Sequence, residues 1–244
     1  LWAQGIAAGY KFDVEIDEPD VSPLQVQGPD STILMSKVFG DWVNDLGFYK
    51  FKQVTHQGIP MVIARMGYSR ELCYELFLQD GSKGNDLWEL LWEAGQEFKI
   101  SAGGPNIILR LEGGILSYLA DIDRSNNPYE VGLDWLVDLE QEDDFIGKEA
   151  LRLVCQNGPT KKLMGAEIHG DPIEDSNADH WPVFINGKKV GSMNAMVYSP
   201  RLDKNICYTI LDIEHAKSGQ EIVIAAPEKD LMATTVDLPW RERA

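Results

Sequence analysis

Beyond Asn157-Gly158-Pro159 the chain breaks into short β-type runs at 163–168, 183–185, 189–197, 206–211, 221–224 and 231–236. Turn residues separate them: Asn186-Gly187, Ser199-Pro200, Ser218-Gly219 and Pro227. Short strands at this spacing bury their apolar faces only against one another, which predicts a small all-β barrel or sandwich. Before residue 160, strands and helices interleave irregularly, the mark of an α+β arrangement. The expected division is 1–159 and 160–244.

In the first part, Leu24-Gln-Val-Gln27 alternates like a half-buried strand. Gly28-Pro-Asp30 then turns the chain into a helix that runs to Phe39. Residues 50–55 and 61–65 flank His56-Gln-Gly-Ile-Pro60, read as a five-residue hairpin loop with Pro60 at the edge of the second strand. A third strand, 72–78, follows the polar turn Ser69-Arg70-Glu71. Helical spacing of Leu87, Leu90, Leu91 and Ala94 predicts a helix over 85–98. After Gly103-Gly104-Pro105 a second helix is expected to bury Ile107, Ile108, Leu111, Ile115, Leu116 and Leu119, and a short third helix spans 147–154. Asp144 is placed to cap that last one. The opening residues 1–9 read as the last turns of a helix closed by Gly9, followed by a strand-like run at 11–16. A start in mid-helix without methionine points to a fragment whose N-terminal part is absent.

Charge narrows the partners. Against 22 Lys+Arg stand 39 Asp+Glu, a net charge of −17, which repels phosphate backbones and argues against nucleic acid. No apolar run approaches the ~20 residues of a membrane span. The 3 cysteines (Cys73, Cys155 and Cys207) are far apart and odd in number, which suits a reducing compartment, by default the cytoplasm. His56, His169, His180 and His215 are scattered, so no metal site is expected, and the Gly-rich pieces match no phosphate cradle.

The segment with chemical content is Arg65-Met-Gly-Tyr68-Ser-Arg-Glu71-Leu-Cys-Tyr74-Glu75-Leu-Phe77. Strand alternation puts Leu76 and Leu78 in a core and Glu75 on the opposite face with Cys73 and Phe77. That is an apolar setting for a carboxylate. It allows a solvent-facing or salt-bridged glutamate, or a carboxylate that recognises an N–H edge of a heterocycle beside the rings of Tyr68 and Phe77. In Arg110-Leu-Glu112-Gly-Gly114 the two charged residues are two apart on a helix and cannot pair with each other. Two glycines inside a helix cost ~1 kcal/mol each against alanine, so something approaches the backbone there, either a packed element or a ligand.

Gly67-Tyr-Ser-Arg-Glu-Leu-Cys-Tyr-Glu75 resembles the Gly-Tyr-Thr-Gly-Glu-x-Gly-Phe-Glu motif of the glycine-cleavage T-protein (aminomethyltransferase) superfamily. Leu24–Pro29, Leu109–Gly114, Asn127-Pro-Tyr-Glu130, Gly132–Asp138, Asp144–Leu151 and the Val190-Gly191 to Pro200 stretch follow in that family's order. Within it the chain most resembles the tetrahydrofolate-dependent dimethylsulfoniopropionate demethylases, chiefly through Gly104-Pro-Asn106 and Asn126-Asn-Pro128.

The resemblance implies an α+β fold of folate-binding subdomains, the N-terminal part missing, ahead of a small C-terminal β-barrel. It implies tetrahydrofolate as cofactor, with Glu75 gripping the pterin ring, Tyr68 lining the folate and donor pocket, Asn106 at a folate-contacting position and Phe77 on the donor side. Asn106 stands where T-proteins carry arginine, Tyr68 where demethylases carry tryptophan, and Phe77 where they carry tyrosine. The implied activity is methyl transfer from a small cationic donor, dimethylsulfoniopropionate first, to give 5-methyltetrahydrofolate. An amine donor (the glycine-cleavage intermediate, sarcosine or dimethylglycine) and a non-catalytic folate-binding role remain alternatives. The catalytic residue is left unassigned and expected upstream of residue 1. The partner is a small-molecule methyl donor, and a homodimer is compatible with the reading.

Overall fold

The computed structural model describes residues 1–19, 21–176 and 179–240; residues 241–244 of the expected second domain lie outside them. The chain divides into two compact units, Leu1–Gly67 with Glu71–Gly103, and Tyr68–Arg70 with Gly104–Ala244.

The first unit is built on a four-stranded antiparallel sheet of β1 (Ser22–Gln27), β2 (Phe51–His56), β3 (Ile59–Ala64) and β4 (Cys73–Leu78), in the order β1-β4-β3-β2. Val26, Met61, Ile63, Tyr74, Leu76 and Leu78 point to one face and pack under α2 (Ser31–Phe39) and α3 (Gly84–Gly95). Full burial of each such side chain contributes ~1.5–3 kcal/mol, so this face fixes the register of the whole sheet. On α3 the helical spacing delivers Leu87 and Leu91 to that core. The start of α2 is tied to β4 by side chains: Ser31 Oγ donates to the Leu72 carbonyl, and the Thr32 and Tyr74 hydroxyls lie 3.0 Å apart.

Several local expectations fail in this unit. The β2–β3 hairpin has a two-residue turn, because Gln57 (φ 49°) and Gly58 (φ 79°) both adopt left-handed conformations and pairing continues to His56 and Ile59. Pro60 therefore lies within β3, a strand with neighbours on both sides, near its start; its carbonyl accepts from the Gln79 amide. Ahead of the sheet, α1 (Trp2–Tyr10) is closed by Lys11 at φ 56° and not by Gly9. Residues 11–16 form no strand, since their alternation meets no partner strand among the described residues.

The second unit contains α4 (Ile107–Glu112), α5 (Lys148–Asn157) and a closed six-stranded barrel. Its strands are β5 (Lys161–Ile168), β6 (Trp181–Ile185), β7 (Lys188–Ser199), β8 (Lys204–Asp212), β9 (Glu221–Ala225) and β10 (Asp230–Val236), in the order β10-β5-β8-β7-β6-β9. Strand spacing alone left barrel and sandwich open; closure gives the barrel that the resemblance implied. Met164, Val183, Met193, Cys207, Ile224 and Ala233, one from each strand, meet in its interior. On the outer face of β5, β7 and β8, Leu163, Val197 and Tyr208 pack with Leu111 of α4 and with Val131. At Gly191 a Cβ would fall 2.1 Å from the Ile210 carbonyl oxygen, so the close approach of β7 and β8 requires glycine there.

α4 ends at Glu112, seven residues short of the expected Leu119. Gly114 turns the chain at φ 68°, and Leu119, itself at φ 73°, is 73% exposed. The glycine pair is therefore a helix stop, and what approaches it is protein: Pro239 packs on Gly114, and the Arg70 side chain and Ser69 carbonyl on Gly113. Asp144 does not cap α5. Its carboxylate accepts from the next amide, Phe145, and Gly147 occupies the cap position at φ 92°.

Candidate ligand-binding site

In the first unit the face of the sheet turned away from the core carries Glu75. Antiparallel register sets Gln25 of β1 opposite Glu75 on one side and Ala64 of β3 opposite it on the other. Phe77 follows two residues on, opposite Pro23 and Val62, and Cys73 precedes, opposite Gln27. Glu75 thus stands between a small methyl side chain and a carboxamide, with an aromatic ring along its own strand. It has no hydrogen-bond or ion-pair partner among the described residues, and burial alone pushes its carboxyl above the usual glutamate value.

The start of this strand is held tightly. Cys73 Sγ donates to the Met66 carbonyl at 3.1 Å, and a Cβ on Gly67 would fall 2.0 Å from that sulfur. The first glycine of the motif is needed so that the chain can pass over Cys73. Burial raises the Cys73 thiol to about 11, which fits a small buried side chain and not a nucleophile.

Tyr68 and Asn106 belong to the second unit. Tyr68 is 37% exposed and opens a three-residue segment in which Ser69 is buried and Arg70 takes φ 56°. Asn106 is the N-cap of α4: its Oδ1 accepts from the Ile108 and Leu109 amides at 2.9 and 3.2 Å. Only its amide hydrogens are left for anything else.

Arg110 and Glu112 find separate partners, as their spacing requires. Arg110 forms a buried ion pair with Asp121 through both guanidinium nitrogens, and also donates to the Ile115 carbonyl at 3.0 Å. Asp121 further accepts from the Ser117 amide, and its own carbonyl accepts from Asn194 of β7. Glu112, 1% exposed, accepts from Ser199 Oγ at 2.6 Å, with Arg201 3.8 Å away. The Tyr208 hydroxyl covers the end of α4, within 3.3 Å of the carbonyls of Arg110, Leu111 and Ile115. These groups serve one another. They weld α4 to the barrel. Asp121, which the sequence reading missed, lies eleven residues beyond Arg110 with no local pattern to mark it.

Asn127-Pro-Tyr-Glu130 is a turn of the same kind. Asn127 Oδ1 accepts from the Tyr129 and Glu130 amides, and the Glu130 carboxylate reaches back to the Asn127 amide. Among the described residues no group of three or more His, Cys, Asp or Glu is disposed to hold a metal, and no helix is long and apolar enough to cross a membrane.

The family model described as the GCVT N-terminal domain matches residues 2–141, and that of the glycine cleavage T-protein C-terminal barrel domain matches residues 161–240. The chain belongs to the glycine cleavage T-protein family. Similar T-protein relatives include the dimethylsulfoniopropionate demethylase DmdA of Ruegeria pomeroyi, 37% identical over 239 residues, covering 97% of this chain and 64% of the relative. An aminomethyltransferase of Bacillus mycoides is 32% identical over 230 residues, covering 92% of this chain and 61% of its own length. The crystal structure of the glycine cleavage system aminomethyltransferase T of Bartonella henselae shares the fold at a TM-score of 0.82 and 23% identity, over 99% of this chain and 66% of that one. The chain thus spans just under two thirds of each of these T-protein relatives.

Proposed function

We propose that this chain is the folate-binding and barrel portion of a tetrahydrofolate-dependent methyltransferase whose donor is a small sulfonium, dimethylsulfoniopropionate first. The observation that carries the reading is Glu75: a partly desolvated carboxylate without a partner among the described residues, on a sheet face beside an aromatic ring. Such a group is stabilised by a ligand edge with two parallel N–H donors, which the pterin ring presents. The fit is chemical as well as steric, since Ala64 leaves room on one side and Phe77 offers a ring for a flat heterocycle.

Tetrahydrofolate, when bound, would supply N5 as nucleophile for a methyl group on a cationic sulfur, the C–S bonding pair staying on the sulfur and the N5 proton being released to water. The task of Glu75 is to accept from the pterin 2-amino and N3–H groups and so to orient the ring. The resemblance assigns Tyr68 of the second unit, and separately Phe77 of the first, a role towards the donor cation, which an aromatic face attracts. Asn106, with its oxygen engaged in capping α4, is left to donate from its amide. The protein's contribution is positioning and exclusion of water.

Similarity to the R. pomeroyi demethylase across 97% of this chain supports the sulfonium over other donors. Similarity to aminomethyltransferases supports an amine donor as the second reading. Calorimetric titration of the full-length protein with tetrahydrofolate, followed by mass-spectrometric assay of the folate after addition of dimethylsulfoniopropionate, tests both. Folate binding with formation of 5-methyltetrahydrofolate is expected. Binding with turnover only on sarcosine, dimethylglycine or an aminomethyl donor selects the second reading, and binding without any turnover selects a folate-binding protein. Absence of folate binding overturns the proposal.

A further inference from the structure

Gln25 is the residue directly across β1 and β4 from Glu75, and both side chains leave the sheet on the face the core does not use. Facing residues in an antiparallel pair have Cβ atoms ~4.5–5.5 Å apart, within reach of a single ligand edge. A carboxylate opposite a carboxamide would ordinarily be paired by the amide N–H. Here it is not. The Gln25 Nε2 donates to Gln27 Oε1 at 2.9 Å and lies near the Cys73 sulfur, whose own S–H is given to the Met66 carbonyl. The same nitrogen lies 3.1 Å from the point where a Cβ on Gly67 would stand, so the backbone of the motif shapes its seat.

The bond to Gln27 engages the amide nitrogen along β1. Gln25 Oε1 is left as an acceptor without a protein partner among the described residues, across from a carboxylate in the same condition. Both are acceptors on facing positions, and a ligand edge with three hydrogens to give satisfies them together.

We infer that Gln25 Oε1 and the Glu75 carboxylate form a joint acceptor array, in which Glu75 takes the pterin N3–H and one 2-amino hydrogen and Gln25 takes the other 2-amino hydrogen. This rests on the folate reading of the preceding subsection and extends it to a specificity residue. Gln25 makes the site demand an unsubstituted 2-amino group. Glu75 alone is satisfied by one N–H at that position. The seat of the Gln25 amide on Gln27 and Cys73 explains why an exposed glutamine is positioned on this strand.

The test uses the full-length protein, its Gln25→Leu variant, tetrahydrofolate, and the analogue bearing a 2-methylamino group, which keeps one hydrogen for Glu75 and lacks the second. Wild-type protein is expected to prefer tetrahydrofolate over the analogue, and Gln25→Leu to bind tetrahydrofolate about three- to tenfold more weakly, the effect of one neutral hydrogen bond. In the variant the preference over the analogue should shrink by the same factor, with an unchanged melting profile as control. Equal affinity of variant and wild type for tetrahydrofolate, or undiminished discrimination in the variant, overturns the role of Gln25 while the folate reading stands. No folate binding by the wild type removes both.

Discussion

Arg110 grips Asp121 through both terminal guanidinium nitrogens, each side chain less than 5% exposed, across the turn that ends α4. A buried pair of this kind adds little over an apolar replacement, yet loss of one member strands the other charge without water. Arg110→Met and Asp121→Leu are each expected to destabilise by about 3–5 kcal/mol in denaturant melts. The double variant should recover a large part of that. Strict additivity of the two losses would show that the ions act independently.

Glu75 should oppose stability and favour binding. Its carboxyl titrates above the ordinary 4.5 because burial penalises the charge, so stability is greatest with Glu75 protonated, complete below that value, and is lost as pH rises through the raised one. Glu75→Gln is therefore expected to raise the melting temperature at pH 7. The same change should weaken tetrahydrofolate affinity by about 1.5–3 kcal/mol, the worth of a charged acceptor. Wild-type affinity should fall off on acidification at a higher pH than an ordinary glutamate would give. A variant less stable than wild type at neutral pH would contradict this assignment.

The thiols should separate cleanly. Cys155 is exposed, whereas Cys73 and Cys207 are buried with thiols pushed upward by desolvation. Titration of the folded protein with a disulfide reagent near pH 8 should show one fast thiol, lost in Cys155→Ser. The other two should appear only on unfolding. Rapid labelling of Cys73 in the native protein would exclude the tight seat described for it.

Gly67→Ala places a methyl group where the Cys73 sulfur now sits, 2.0 Å from it. A loss of about 1–3 kcal/mol is expected from this overpacking. Removal of the obstacle in Gly67→Ala with Cys73→Gly should restore part of the loss. No rescue would place the strain in the backbone instead.

Much of this was legible in the sequence because burial and alternation agree. Tyr74, Leu76 and Leu78 had to share a face, so Glu75 had to leave on the other, and the six barrel strands lie where β-type runs stand between turns. Reading failed where apolar content has no periodic meaning. Ile115 and Leu116 extended a helix that Gly114 had already ended, and Leu116 packs on the barrel from an irregular segment. Residues 11–16 alternate without a neighbour to pair with. The Arg110–Asp121 pair and the opposition of Gln25 and Glu75 join residues 11 and 50 apart, and only the fold sets such distances.

Antiparallel pairing of β5 with β10 closes the barrel by laying its first strand along its last, with Gly165 beside Val236. The two chain ends of that segment therefore emerge as neighbours. Adjoining ends allow a permuted order: the strands can be cut at the Asn186-Gly187 hairpin and rejoined across their former termini with every strand neighbour kept, as long as α4 stays on the outer face it covers.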